Sequence, residues 1–348
     1  MKIKPMTKFA ILALSLVLVA CAGGGSEEAG CPAIDGREIN VVATTPMIGE
    51  FVSQVGGEKI NLTVLMPPEA NPHTYEPAPQ DAGTIAEADL VFYTGLLYEP
   101  AALVKLLENS ACSTDILSEV GESVFPIEFK EGGHDDHDDH DDHDDEEGHD
   151  DHDDEEGHDD EEGHDDHEGH NHGAYDPHFW FDPSRVAYAA EYIESRLIEF
   201  DPENESSYKS SADSFVSELN DLTKQVSELI STVPSQNRKL ITTHESLGYL
   251  EAKFGLEVLS TIIPSLNSAN EISPSDLAGV IDVIEDNNVK VIFIESEAPS
   301  VYSETIVAET GIKSVTGLYV ETLKPGQSYS EFLISNVTLI TENLQDTD

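Results

Sequence analysis

Outside one low-complexity segment, the 348-residue chain contains three histidines, His73, His178 and His244. They lie in Asn71-Pro72-His73-Thr74-Tyr75-Glu76-Pro77, in Asp176-Pro177-His178-Phe179-Trp180-Phe181-Asp182-Pro183, and in Thr242-Thr243-His244-Glu245-Ser246. A single histidine in such a place is most often a hydrogen-bonded structural residue. Three in proline- or turn-marked loops make a nitrogen-rich donor set for a divalent cation. The other eleven of the fourteen histidines fall between Gly132 and Gly173, a stretch built almost wholly of His, Asp, Glu and Gly. Its His-Asp-Asp and Glu-Glu-Gly repeats carry too few apolar residues to fold or to hold one ligand geometry. The expectation is a solvated, disordered loop with weak, multiple, exchangeable sites, and a tight site elsewhere.

Converging three distant histidines requires elements that bring chain-separated loops together. From Ile39 onward, short β-branched runs alternate with helical patterns, which specifies an α/β protein with largely parallel sheets. Strands are predicted at Ile39–Thr44, Lys59–Leu65, Leu90–Tyr93 and Ser123–Ile127, and again at Lys239–Thr243, Glu257–Ile262, Val289–Ile294 and Ser314–Tyr319. The first half places helices at Ile48–Val55, Ala78–Ala88 and Glu99–Asn109, and a further helix starts near Ser184. Each histidine follows a predicted strand, and ligands of doubly wound sheets bind beyond the carboxyl ends of the strands. The fold class is therefore α/β with two lobes, each a roughly four-stranded parallel sheet, and a cleft between them. Tyr208, Phe215, Leu219, Leu222, Val226 and Leu229 recur at helical spacing after Asp201-Pro202, with Asp201 as the expected N-cap. One long rigid helix, about 202–232, joins the lobes.

The chain begins with Lys2, Lys4 and Lys8, then an apolar run of about twelve residues, Phe9 to Ala20. That run is short for a membrane span, and its basic flank fits an export signal. Leu18-Val19-Ala20-Cys21 resembles the lipobox of bacterial lipoproteins, so Cys21 is the expected lipid attachment point. The expected organisation is a signal peptide over 1–20, a tether over 21–36, an N-terminal lobe over 37–183 that carries the loop 131–174, helices over 184–234, and a C-terminal lobe over 235–348. In an oxidising compartment Cys31 and Cys112 are expected to pair, with two buried reduced cysteines as the alternative. The formal charge of −53 leaves too few basic side chains for nucleic-acid binding.

The three histidine motifs resemble the metal-site signatures of the solute-binding lipoproteins of zinc and manganese ABC importers, the high-affinity zinc uptake type. The resemblance runs over essentially the whole mature chain, including the long helix and the acidic histidine-rich insertion. It implies a metal bound between lobes by His73, His178 and His244, a location outside the cytoplasm on a lipid anchor, a monomeric state, and delivery to a membrane permease driven by an ATPase. The family often supplies a fourth ligand from an aspartate after the last strand. The matching position here is Glu321, with water as the alternative occupant. Glu245 is a weaker candidate, and Glu295 is better suited to positioning a neighbour.

Manganese-carrying members tend to have glutamate at the third histidine position, so His244 points to zinc as the transported ion. Three imidazoles and a carboxylate also suit tetrahedral zinc, whereas manganese prefers more oxygen. A manganese- or iron-binding protein of the same family and a metal-dependent adhesin are the nearest alternatives. A zinc hydrolase is the rival of another class, but no His-Glu-x-x-His helix is present. The expectation is a capture component and not an enzyme.

Overall fold

The computed structural model describes residues 31, 34, 36–129, 175–263, 274–296 and 301–345. The export signal, Cys21 and the whole histidine-rich insertion lie outside the described residues.

The N-terminal lobe contains β1 (Ile39–Ala43), α1 (Pro46–Gly56), β2 (Ile60–Val64), α2 (Pro79–Ala86), β3 (Leu90–Tyr93), α3 (Ala101–Ser110) and β4 (Leu117–Glu119). Two helices follow, α4 (Pro183–Phe200) and α5 (Glu205–Ser231). The C-terminal lobe contains β5 (Lys239–Thr242), α6 (Gly248–Phe254), β6 (Glu257–Thr261), α7 (Pro274–Asn287), β7 (Val291–Glu295), α8 (Val301–Thr310), β8 (Lys313–Leu318) and α9 (Tyr329–Gln345). Each lobe is a four-stranded parallel sheet, ordered β2-β1-β3-β4 and β6-β5-β7-β8. The repeated order places the turns after β1 and β5, near the centre of each sheet, where strand order reverses and ligands of such sheets collect.

Strand alternation divides each sheet between two cores. Ile39, Val41 and Ala43 of β1 and Leu90 and Phe92 of β3 enter a continuous core that also takes Val291 and Phe293 of β7. The intervening Val42 and Val91 face a separate cluster with Met66, Ile85, Leu103 and Leu107. Ile241, Ile292 and Ile294 face the equivalent outer cluster of the second lobe, with Val280, Ile284 and Ile306. The shared core thus runs from one lobe into the other. Through it passes α5, whose Tyr208, Ala212, Phe215, Leu219, Leu222, Val226 and Ile230 form one buried stripe. This helix packs on α4 and α1 on one side and on α9 on the other, which ties the lobes along a rigid element.

Helix starts are encoded locally. Thr45 caps α1 by accepting from the Ile48 amide at 3.2 Å, and Pro46 follows at the first helical position. Asp182 caps α4, accepting from Ser184 N at 2.9 Å and Ser184 Oγ at 2.6 Å, and Pro183 opens that helix one residue before the expected start. Three expectations change. Ser123–Ile127 is not a strand: it begins in a 3-10 turn, Gly121–Val124, and the edge strand is the three-residue β4, whose Leu-Ser-Glu carries no β-branched signal. The linking helix starts at Glu205, because Pro202–Asn204 forms a separate 3-10 turn. Asp201 is not its N-cap: its carboxylate accepts instead from Asn204 Nδ2 at 2.7 Å and Tyr208 Oη at 2.6 Å.

Cys31 and Cys112 form a disulfide with Cα atoms 5.1 Å apart. It fastens the segment before β1 to the residues just after α3, closing a loop across 81 positions.

Candidate metal centre

His73 belongs to a 3-10 turn, Pro72–Thr74, reached by the chain after β2. The Asn71 side chain accepts from the His73 amide at 2.9 Å, and Pro72 fixes the entry to the turn. His178 is held the same way, because Asp176 Oδ1 accepts from the His178 amide at 2.8 Å. His244 follows β5 by two residues, and Thr242 Oγ1 donates to its carbonyl at 2.9 Å. Glu321 lies just past β8 and is fully buried.

These loops bring the four sequence-predicted residues to one point, with one donor atom from each lying within 4.8 Å of all the others. Glu321 Oε1 is the focus, 3.2 Å from His73 Nε2, 3.4 Å from His178 Nε2 and 2.9 Å from His244 Nε2. A tetrahedral zinc site with bonds of about 2.0–2.1 Å has donor–donor edges of about 3.3 Å. The carboxylate edges already have that length, and the imidazoles need to close by no more than about 1.5 Å around an ion. Glu245 is not among the converging donors.

Two rings are clamped from behind. His178 Nδ1 meets Asp176 Oδ1 at 2.7 Å, and His244 Nδ1 meets Glu295 Oε2. A Nδ1–H held by a carboxylate turns Nε2 toward the centre and makes it a better base. Glu295 thus positions His244, the role its sequence context suggested. Asp176 and Tyr98 escaped the sequence reading. Asp176 was visible in its motif as a residue two before a candidate ligand, where an Asx turn places its carboxylate against the ring. His73 has no such clamp, since its buried Nδ1 has no hydrogen-bond partner among the described residues.

The charges are mutually dependent. Burial works against protonation of His178, but the fields of Glu321 and Asp176 outweigh it and raise its pKa to about 9. His244 is likewise disfavoured as a cation by burial, yet Glu295 and Glu321 raise it to about 10. Burial alone would raise the Glu321 carboxyl, but neighbouring His73 and His178 hold it well below the usual carboxylate range. The raised values favour the protonated imidazoles of His178 and His244 in the metal-free protein at neutral pH.

Metal must displace those protons, so affinity rises with pH. Between pH 6 and 8 about two protons are released per tightly bound ion. Calorimetry in buffers of different ionisation enthalpy counts them; no release would show that His178 and His244 are neutral or not displaced. The stability linkage has the opposite sense. Both histidines have folded pKa values above the unfolded value, so their contribution to the metal-free fold is complete below about pH 6.5 and fades as pH rises through about 9 to 10.

The family described as zinc-uptake complex component A, periplasmic, matches residues 41–343. The chain belongs to this family. It is thus a metal-binding component of an ABC importer, which removes the hydrolase alternative. A Bacillus subtilis relative named high-affinity zinc uptake system protein is 28% identical, over 97% of this chain and 96% of its own. A Streptococcus anginosus relative named manganese ABC transporter substrate-binding lipoprotein is 26% identical, over 98% of this chain and 99% of its own. The solved periplasmic zinc-binding protein TroA of Treponema pallidum shares the fold, with a TM-score of 0.69 at 20% identity over 88% of this chain and 99% of its own. The Fe(III)-bound YtgA structure from Chlamydia trachomatis matches equally well in fold, with a TM-score of 0.69 at 24% identity over 88% of this chain and 98% of its own.

Proposed function

We propose that this protein captures zinc outside the cytoplasm and hands it to the permease of an ABC importer, with His73, His178, His244 and Glu321 as the ligands. The observation that carries this reading is the donor set: three imidazole nitrogens turned toward a single carboxylate oxygen within 4.8 Å. Such a set is short of the oxygen that manganese prefers and matches the number and softness of donors that zinc takes. Relatives named for manganese keep that ion as the competing reading. Lipid attachment at Cys21 agrees with relatives that are named lipoproteins, and holds the capture site near its permease. Residues 1–20 then serve as the export signal and 21–36 as the tether, ahead of a lobe over 37–183, helices over 184–234 and a lobe over 235–348.

The histidine-rich insertion is proposed as an accessory collector or sensor of zinc. At its neck Glu128 and Tyr175 pair in an antiparallel bridge. A cavity there is lined by Glu128, Asp176, Glu245 and Glu251, which places acidic residues between the neck and the turn that carries His178. Protein stripped of metal and titrated with zinc against manganese should bind one zinc tightly and further zinc weakly. Deleting 132–173 should abolish the weak sites and spare the tight one. Tighter manganese than zinc binding would overturn the cargo assignment, and loss of the tight site on deletion would move the primary site into the insertion.

A further inference from the structure

A buried hydroxyl from the other lobe meets the Glu321 carboxylate on the side away from the imidazoles. Tyr98 is 1% exposed, and its Oη donates to Glu321 Oε2 at 2.9 Å while lying 3.1 Å from the Glu321 carbonyl. The hydroxyl faces Oε2, whereas Oε1 faces the three imidazoles. A hydrogen bond on Oε2 competes with a cation for that oxygen and favours binding through Oε1 alone. With three nitrogens the count is then four, the number tetrahedral zinc takes. A second oxygen from the same carboxylate would give five, a step toward the oxygen-rich, higher-coordinate shell of manganese.

The backbone before Tyr98 is bent into an unusual shape to place it. Gly95, Leu96 and Leu97 have φ values of 76°, 53° and 60°, three consecutive left-handed residues, two of which carry side chains. Residues hold such conformations only where their surroundings over-determine them. Here Glu99 accepts from the amides of Thr94 at 2.7 Å and Gly95 at 2.9 Å, and Glu119 accepts from Leu96 N at 2.8 Å. A side chain at Gly95 would collide with Glu119, whose carboxylate lies 2.0 Å from the Cβ position. The Tyr98 ring is wedged edge-on against His73 at 5.1 Å and Trp180 at 5.3 Å. The hydroxyl is therefore fixed by the N-terminal lobe, independently of the carboxylate it meets.

We infer that Tyr98 is a specificity-determining residue that holds Glu321 to one-oxygen binding and thereby favours zinc over manganese. The inference rests on the proposed zinc reading of the site. Tyr98→Phe removes the hydroxyl and keeps the ring contacts. Zinc and manganese affinities by competition, and the visible spectrum of the Co2+-loaded protein, are compared between the unsubstituted protein and this variant. The zinc-to-manganese affinity ratio should fall by about tenfold or more. The Co2+ bands should weaken from the intense four-coordinate pattern toward a five-coordinate one. An unchanged ratio with unchanged Co2+ bands, or parallel weakening of both metals, overturns the assignment. X-ray absorption at the zinc edge of the unsubstituted protein provides an arm that needs no variant: three nitrogens and one oxygen support it, and five or more ligands overturn it. Tighter manganese than zinc binding by the unsubstituted protein defeats the zinc reading, and the paired Co2+ spectra then judge Tyr98 separately.

Discussion

His73→Ala lowers zinc affinity by about a thousandfold or more, a loss of about 4 kcal/mol, while the metal-free protein keeps its melting temperature within a few degrees. The separation follows from how the three rings are held. His73 Nδ1 makes no hydrogen bond among the described residues, and without its ring Glu321 still faces His178, His244 and Tyr98, so no buried carboxylate is left without a partner. His178→Ala and His244→Ala lose similar affinity but also destabilise the metal-free fold. They leave the buried carboxylates of Asp176 and Glu295 without their imidazole partners, and breaking such a buried pair costs up to about 3–5 kcal/mol, less what the remaining bonds from the His178 amide, the His244 amide and Ser246 Oγ retain. Zinc titration by chelator competition and thermal melting of the apo forms distinguish the two effects. Tight binding that survives in His73→Ala would remove His73 from the coordination sphere.

The same asymmetry bears on what the sequence reveals. Histidines in rare, proline- or turn-marked motifs stand out in this chain because only three lie outside the insertion. Strand positions were readable where β-branched runs were long, as in Ile39-Asn40-Val41-Val42 or Val291-Ile292-Phe293-Ile294. The edge strand Leu117–Glu119 was not, because three residues without a β-branched side chain carry no period. Nor was the helical boundary at Glu205, where proline at 202 opens a 3-10 turn as readily as an α-helix. Tyr98 was invisible for a different reason: its partner Glu321 is 223 positions away, and the contact arises only once the lobes are assembled. Local motifs thus reveal who binds, while the partners that tune the binders come from tertiary structure. Asp176 and Glu295 mark the boundary between the two. The first lies within a motif, and the second closes β7, the parallel neighbour of the strand that leads to His244.

Trp180→Ala destabilises the protein by about 3–5 kcal/mol and weakens zinc binding as well. Trp180 is the chain's single tryptophan, is fully buried, and stands two residues beyond His178. Its Nε1 donates to the Val320 carbonyl at 2.8 Å, immediately before Glu321. One side chain thus spans the turn that carries a candidate ligand of the first half and the segment that carries the carboxylate of the second. Its ring packs edge-on against Tyr98 at 5.3 Å, His178 at 5.5 Å and Phe179 at 5.5 Å, so truncation opens a cavity directly behind the metal centre. The freed Val320 carbonyl adds the cost of a lost hydrogen bond, about 1 kcal/mol or more. Trp180→Phe refills most of the volume and should recover more than half of the stability. Thermal melting by circular dichroism gives both values. Zinc provides the internal control, because an ion at a thousand times its dissociation constant adds about 4 kcal/mol to the folded state. If Trp180→Ala melts with the unsubstituted protein, the shared core does not couple the lobes. If it melts low and zinc in excess restores only part of the difference, the same residue supports both the fold and the site, as expected of a side chain that joins the two halves of the centre.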